Sequence, residues 1–135
     1  MSEEYEVEDG LRYTEEHEWA KVLDDGSVLI GVTDYAQKQL HEIVYVELPE
    51  VGGSADFMGV VGALESVKAV SDMNSPVAGE ILEVNEGLLD SPELVNESPY
   101  GEGWFAKVRP SDLEGDLAKL MDAAAYREHL KSQAH

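Results

Sequence analysis

Residues 64–70 read Leu-Glu-Ser-Val-Lys-Ala-Val, and they are predicted to form the turn of a β-hairpin. The stretches 57–64 and 69–73 are mostly apolar or β-favouring, as expected for two short strands. Residues 66–68 join them, and the Asn-Ser-Pro run at 74–76 ends the second strand. The pattern therefore predicts a hairpin with Lys68 at its tip.

Lys68 has two interpretations at this stage. A lysine on a turn is most often a solvated surface charge. However, the chain has only six lysines, and this one lies at a predicted tip within an otherwise apolar stretch. Gly52, 16 residues earlier, and Gly79, 11 residues later, suit tight turns that flank the hairpin strands. The alternative to a plain surface charge is thus an exposed amine that is presented to an acyl-transferring enzyme.

Outside the hairpin, most of the chain is predicted to be β structure. The predicted strands lie at Tyr13, 19–23, 27–32, 43–48, 79–84 and 104–108. In the strand at 43–48, Ile43, Tyr45 and Glu47 are predicted to share one face, with Val44, Val46 and Leu48 on the other. The segment 42–46 recurs in similar form at 80–84, which suggests two related halves with the Lys68 turn between them.

Helices are expected at two places. Thr33 can cap a short helix that runs to Leu40. Residues 88–103 are rich in Pro, Ser, Asn and Gly and are predicted to be loop. A capping box at Ser111–Glu114 begins a C-terminal helical region over about 111–130. Four residues at helical spacing are predicted to form its apolar face: Leu113, Leu117, Leu120 and Met121.

Composition and charge restrict the class of protein. The 135 residues suit one domain, and the absence of cysteine excludes disulfides and thiolate metal sites. A formal net charge of -20 opposes binding to nucleic acid or an anionic membrane. No run is long and apolar enough to span a membrane, and residues 1–10 lack a secretory or transit pattern, so a cytoplasmic protein is expected. Residues 1–10 and 131–135 are predicted to be flexible.

The excess of acid predicts a protein adapted to concentrated salt, since acidic side chains stay hydrated there and their mutual repulsion is screened. An ordinary acidic protein is the alternative. Catalytic and metal motifs are not found. The four histidines lack metal-ligand spacing, Lys21 stands where HExxH requires a second histidine, and neither a P-loop nor a nucleophile elbow occurs.

A set of motifs in a fixed order carries more information than Lys68 alone. The run 65–69, Glu-Ser-Val-Lys-Ala, is followed by Val-Ser-Asp at 70–72. Further blocks are His17-Glu18-Trp19, Gly31-Val32-Thr33-Asp34, Val46-Glu47-Leu48-Pro49, Pro76-Val77-Ala78-Gly79-Glu80, Asn85-Glu86-Gly87, Pro99-Tyr100-Gly101-Glu102-Gly103-Trp104 and residues 126–130. Over about residues 11–130 these blocks resemble the glycine cleavage H-protein family, whose signature around its modified lysine is E-S-V-K-A.

The resemblance implies a mainly β, barrel-sandwich hybrid lipoyl-type fold over residues 11–130, with one short helix in its N-terminal half and a C-terminal helical region. It also implies that lipoate is amide-linked to Lys68 and that the lipoylating enzyme recognises the flanking residues, Glu65, Ser66, Val67 and Ala69. The expected role is a non-catalytic carrier. It would take an aminomethyl group from the P protein to the T protein and pass electrons to the dihydrolipoyl dehydrogenase, the L protein.

The family also implies a cleft for the loaded arm, lined by acids at the positions of Glu18 and Asp72. A carboxylate beside the basic amine of that arm is a favourable pairing. The third cleft position, histidine in some relatives, is Gln39 here, and glutamine does not change its charge near neutral pH.

Other functions compete with this interpretation. An H-like protein can relay lipoate to other enzymes. A biotin carrier would normally have Met on both sides of its lysine, whereas Val67 and Ala69 stand here. An unmodified interaction module and a hydrolase are the remaining alternatives, and the second lacks any supporting motif.

Overall fold

The structure is a computed structural model that describes residues 5–133, and within them it contains nine strands and five helices. The strands are β1 (Arg12–Tyr13), β2 (Glu18–Val22), β3 (Val28–Val32), β4 (Ile43–Glu47), β5 (Ser54–Ala55), β6 (Val60–Ser66), β7 (Val70–Asn74), β8 (Gly79–Val84) and β9 (Ala106–Pro110). The helices are α1 (Asp34–Leu40), α2 (Gly87–Asp90), α3 (Leu94–Glu97), α4 (Leu113–Leu117) and α5 (Ala123–Gln133).

Two antiparallel sheets form the body. The larger has the order β1-β2-β3-β9-β8-β5, and the smaller has the order β4-β6-β7. Buried side chains from both sheets, such as Ile30, Val46, Leu64 and Val108, pack into one core cluster. A second cluster joins β1 and β2 to α5 through Tyr13, Trp19 and Tyr126. The expected mainly β architecture is confirmed.

The helix α1 follows the predicted pattern. Thr33 has extended backbone angles, and its Oγ1 accepts a hydrogen bond from the Ala36 N–H at 3.3 Å. The helix ends at His41, which has a φ of 68°. Thr33 therefore supplies an acceptor for one of the N–H groups that every helix start leaves unpaired.

The alternation predicted for β4 is wrong. Ile43 and Val46 are both buried, whereas Val44 and Tyr45 are exposed. The cause is a β-bulge between Ile43 and Tyr45 in the pairing with β6, which inserts one residue and exchanges the faces beyond it. A matching register shift lies between Ile81 and Glu83 in β8, so the repeated segments share their irregularity as well as their sequence.

Three predicted boundaries also change. The hairpin strands are β6 and β7 rather than 57–64 and 69–73, because Met58 adopts a φ of 61° in the turn before β6. The last strand, β9, is 106–110 rather than 104–108. The predicted loop 88–103 contains α3 and all but the first residue of α2, and both helices are single turns that are too short to show a helical period in the sequence.

The C-terminal region is two helices rather than one. Asp112, not Ser111, caps α4, and its carboxylate accepts from the Gly115 N–H. The chain then leaves the helical path, because Met121 forms a β-bridge with Tyr13 before α5 begins. This break divides the predicted apolar face: Leu113 and Leu120 pack on the core between the sheets, whereas Met121 packs on the cluster beneath α5.

Both ends of the described chain contact the body. Tyr5 packs edge-on against Tyr35, and the Glu6 N–H donates to Asp34 Oδ2 at 2.9 Å. The helix α5 extends to Gln133. The flexible segments that the sequence predicts include residues 1–4, 134 and 135, which lie outside the described residues. Among the described helices, none has the length and apolarity needed to cross a membrane.

Gly62 holds β6 against its neighbours, and we expect Gly62→Ala to destabilise the hairpin strongly. A Cβ at this position would lie 2.2 Å from the Glu47 backbone oxygen and 2.6 Å from Phe105 Cζ. Such overpacking costs about 3 kcal/mol when backbone must move. Urea denaturation measures the loss.

Gly26→Ala is the matched control, since Gly26 has a φ of 88° but open space around it. The left-handed backbone alone should cost that variant about 1 kcal/mol. Equal losses in the two variants would show that close packing at Gly62 is unimportant.

Candidate functional site

The tip of the β6–β7 hairpin is built by Ser66. Its side chain is buried, and its Oγ accepts from the Ala69 N–H at 3.1 Å and the Lys68 N–H at 3.4 Å, while it donates to the Ala69 carbonyl. The Ser66 N–H also donates to that carbonyl at 2.8 Å. These bonds fix the turn from inside, so Lys68 and Val67 project outward and are exposed.

The outer face of the three-stranded sheet adjoins the tip. Register pairs Glu65 with Tyr45 on one side and with Val70 on the other, and both of these apolar residues are more than half exposed. Directly opposite residues share one face of a sheet. Two apolar side chains with a carboxylate between them therefore lie next to the lysine. The next row on the same face of the sheet, further from the tip, places Ala63 between two exposed acids, Glu47 and Asp72.

The free edge of β7 leads from the tip to Glu18. As an outer strand of its sheet, β7 has one unpaired side, and there the Asn74 N–H donates to Glu18 Oε2 at 3.1 Å. Five residue steps along the chain separate Ala69 from Asn74, a span of about 17 Å.

Glu18 is a buried carboxyl group, with only 1% of its surface exposed. Thr14 Oγ1 donates to its Oε1 at 2.5 Å, and the Asn74 N–H donates to the other oxygen. Desolvation raises the pKa of Glu18 to about 7, while both hydrogen bonds lower it and the charge of Glu16 raises it. The folded chain thus binds this proton more tightly than the unfolded chain. The resulting stabilisation is complete below about pH 4.5 and is lost as pH rises through 7.

Unlike Glu18, the other two predicted cleft residues are exposed. Asp72 is exposed on β7, two residues before Asn74, and lines a shallow depression of about 420 Å³ with Glu47 and Pro49. Gln39 is exposed on α1. The contacts of Glu18 join it to Thr14 and Asn74 rather than to either of these.

Two polar residues around this site are not predicted from the sequence to belong to it. Thr14 precedes β2 in a turn, and Asn74 is predicted only as part of the strand-breaking run at 74–76. The one available signal was the T-x-x-x-E spacing of Thr14 and Glu18, which places the hydroxyl beside the carboxylate only because His17 adopts a φ of 74°. Positive φ at a non-glycine residue is not predictable from such a short pattern.

The group that the resemblance implies, an amide-linked lipoyl group, fits the exposed amine at the tip. Lys68 Nζ has unobstructed access because its side chain is exposed, and the turn beneath it is held by Ser66 rather than by the lysine. A modifying enzyme can therefore take hold of the amine without unfolding the hairpin. Across the described residues no cluster of three or more His, Cys, Asp or Glu has a geometry that suits a metal ion.

Comparison with known proteins agrees with this geometry. The family model described as "Glycine cleavage H-protein" matches residues 11–133. The chain belongs to the glycine cleavage H-protein family. A "Probable glycine cleavage system H protein" of Thermococcus gammatolerans is 60% identical over 129 residues, covering 96% of both chains. The "Glycine cleavage system H protein" of Marinobacter nauticus is 49% identical over 128 residues, covering 95% of this chain and 98% of its own.

The fold agrees as well. A crystal structure of a glycine cleavage system H protein from Mycobacterium marinum superposes with a TM-score of 0.85 at 34% identity, covering 93% of this chain and 99% of that one. The family predicted from the ordered motifs is thereby confirmed over almost the whole described chain.

Proposed function

We propose that this chain is the lipoyl carrier of a glycine cleavage system, with lipoate amide-linked to Lys68. The observation that carries the proposal is the exposed Lys68 on a turn that is fixed internally by Ser66. Family membership supports the role. The bound group would supply a disulfide that is reduced as it takes up the aminomethyl group, becomes a dithiol when that group is passed on, and returns to the disulfide when the dithiol gives up two electrons. A cytoplasmic location, as the sequence suggests, is part of the proposal.

The chain itself binds, presents and shields rather than catalyses. The hairpin holds Lys68 away from the body, so the attached arm reaches the P, T and L proteins in turn without rearrangement of the fold. Tethering replaces free diffusion by a high local concentration. Amide formation also removes the lysine charge, which lets the arm lie beside exposed Val67 and Val70.

The residues around Lys68 are proposed to be recognised by the lipoylating enzyme. Val67 and Glu65 are exposed beside the lysine, and Ala69 follows it on the turn. Ser66 acts differently, because it is buried and sets the shape of the turn. An enzyme that binds this tip thus contacts a fixed backbone, the apolar side chains of Val67 and Ala69, and one carboxylate.

Glu18 and Asp72 are proposed to hold the amine of the loaded arm. They lie along the same strand edge that leads away from Lys68, Asp72 on β7 itself and Glu18 at its Asn74 end. An ammonium group beside a buried carboxyl lowers its pKa and forms a charge-assisted hydrogen bond. Gln39, on α1, completes the proposed cleft as a neutral polar group.

We expect the double variant Glu18→Gln, Asp72→Asn to accept lipoate normally but to lose the aminomethyl group to water at least tenfold faster, because two carboxylates no longer pair with the amine. Single-turnover loading followed by timed mass spectrometry measures the lifetime. Glu83→Gln is the matched control, since Glu83 lies on β8 and pairs with Lys107. A lifetime equal to that of the wild type would show that neither acid holds the amine and that both only add to the negative charge of the protein.

Intact mass of the protein from its native host tests the carrier proposal directly. A lipoyl addition on the peptide that contains Lys68 supports it. A biotinyl addition, or an unmodified chain in cells that degrade glycine, contradicts it. Transfer of that lipoyl group to another apo-protein in a purified mixture would instead support the relay function.

A further inference from the structure

Thr14 uses all of its hydrogen-bonding capacity around Glu18. Its Oγ1 accepts from the Glu16 N–H and the Glu18 N–H, each at 3.1 Å, and it is only 3% exposed. A hydroxyl has two acceptor positions and one proton. Since both acceptor positions are occupied, the proton is left for Glu18 Oε1, at 2.5 Å.

This arrangement favours the ionised form of Glu18. Oε1 accepts from Thr14, and Oε2 accepts from the Asn74 N–H. A protonated carboxyl keeps acceptor positions on both oxygens but carries no charge, so it is the weaker acceptor for both donors. The network therefore favours the carboxylate, whereas burial opposes it.

We propose that Thr14 is a positioning residue for aminomethyl transfer, which holds Glu18 ionised and directed at the free edge of β7. The inference rests on the proposed role of Glu18 in holding the amine. The charged or titratable groups that act on Glu18 are Glu16, in the same turn, and Tyr126 of α5. Burial keeps the Tyr126 phenol neutral, because its pKa is raised above its ordinary value.

The first test follows the carboxyl group without any arm attached. Protein with ¹³C-labelled glutamate is titrated by NMR, and Glu18→Gln assigns the signal. We expect Thr14→Val to raise the midpoint by about one pH unit, since it removes a hydrogen bond to a charged group. Thr14→Ser keeps the hydroxyl and should titrate like the wild type. Thr14→Ala replaces the valine variant if that chain does not fold. An unchanged midpoint, or an equal shift in the serine variant, overturns the proposal.

The second test uses the lipoylated, aminomethylated protein. A shift of one unit from about 7 leaves roughly fivefold less carboxylate at pH 7 but almost the same amount at pH 9, and the pKa lowering by the bound amine makes fivefold the upper limit at pH 7. The loaded arm of Thr14→Val should therefore be shorter-lived than that of the wild type at pH 7, by up to about fivefold, and close to wild type at pH 9. A purely structural defect would shorten the lifetime at both pH values, which contradicts the inference.

The two proposals fail in different ways. If Glu18→Gln alone leaves the lifetime unchanged, Glu18 does not hold the amine, and the proposed cleft is wrong whatever Thr14 does. Suppose that Glu18→Gln shortens the lifetime while Thr14→Val changes neither the NMR midpoint nor the lifetime at pH 7. The proposed cleft is then supported, and the proposed role of Thr14 is rejected.

Discussion

The variant Lys68→Arg is expected to fold like the wild type, to carry no lipoyl group and to abolish glycine cleavage in a reconstituted system. Arginine keeps a positive charge on a long side chain at the exposed tip, so the fold loses no packing. Its guanidinium stays protonated, however, and offers no free amine for acylation. Because Ser66 rather than Lys68 makes the bonds that hold the turn, the hairpin itself should be unchanged.

The matched control is Lys131→Arg. Lys131 is also exposed, but it lies on α5, where it pairs with Glu128 at 3.2 Å. That variant should be lipoylated to the same extent as the wild type. Intact mass and glycine-dependent release of carbon dioxide check both proteins. Lipoyl mass on Lys68→Arg, or its loss from Lys131→Arg, would mean that another lysine is the attachment point.

The hairpin was predictable because local signals agreed there. Apolar strands, a short polar turn and a strand-breaking Asn-Ser-Pro run all indicated the same structure, and the ordered family motifs fixed its identity. The helix α1 was predictable for a similar reason, since Thr33 has the correct side chain at the correct place. Local agreement of this kind needs no knowledge of distant contacts.

Features that depend on distant contacts were missed. The bulge in β4 arises from its pairing with β6, and the break before α5 arises from the bridge between Met121 and Tyr13. The predicted alternation and the single C-terminal helix failed for those reasons. The same holds for the site, because the Asn74 N–H meets Glu18 only after the two sheets pack together.

The acidic surface has its own consequence for stability. The chain has 29 acidic and nine basic residues, so one-to-one pairing of every base would still leave 20 acids. Several acids are neighbours: Glu47 and Asp72 occupy one row of the small sheet, with one strand between theirs. Two strand spacings of about 4.8 Å separate them by roughly 10 Å. This distance is about one Debye length at 0.1 M salt, so the two like charges still repel each other there.

A second acidic group lies where the N-terminal segment meets the loop after α3. Glu6, Glu8 and Glu97 are exposed and line the same shallow depression. Existing ion pairs offset little of this repulsion, since both side chains are exposed in pairs such as Arg109–Glu80. Exposed pairs of this kind typically contribute about 0–1 kcal/mol and weaken with salt. Added salt should therefore remove more repulsion than attraction.

We expect the melting midpoint to rise by about 10 °C between 0.1 M and 3 M KCl, which corresponds to about 2–3 kcal/mol for a domain of this size. The screening length falls from about 10 Å at 0.1 M to about 3 Å at 1 M, so most of the rise should occur below 1 M. Calorimetry across the series measures it. The triple variant Glu6→Gln, Glu8→Gln, Glu97→Gln should melt higher than the wild type at 0.1 M, and the difference should vanish at 3 M. A flat or falling midpoint would reject adaptation to salt and leave the lipoyl assignment unaffected, since Lys68 and its hairpin do not depend on this charge.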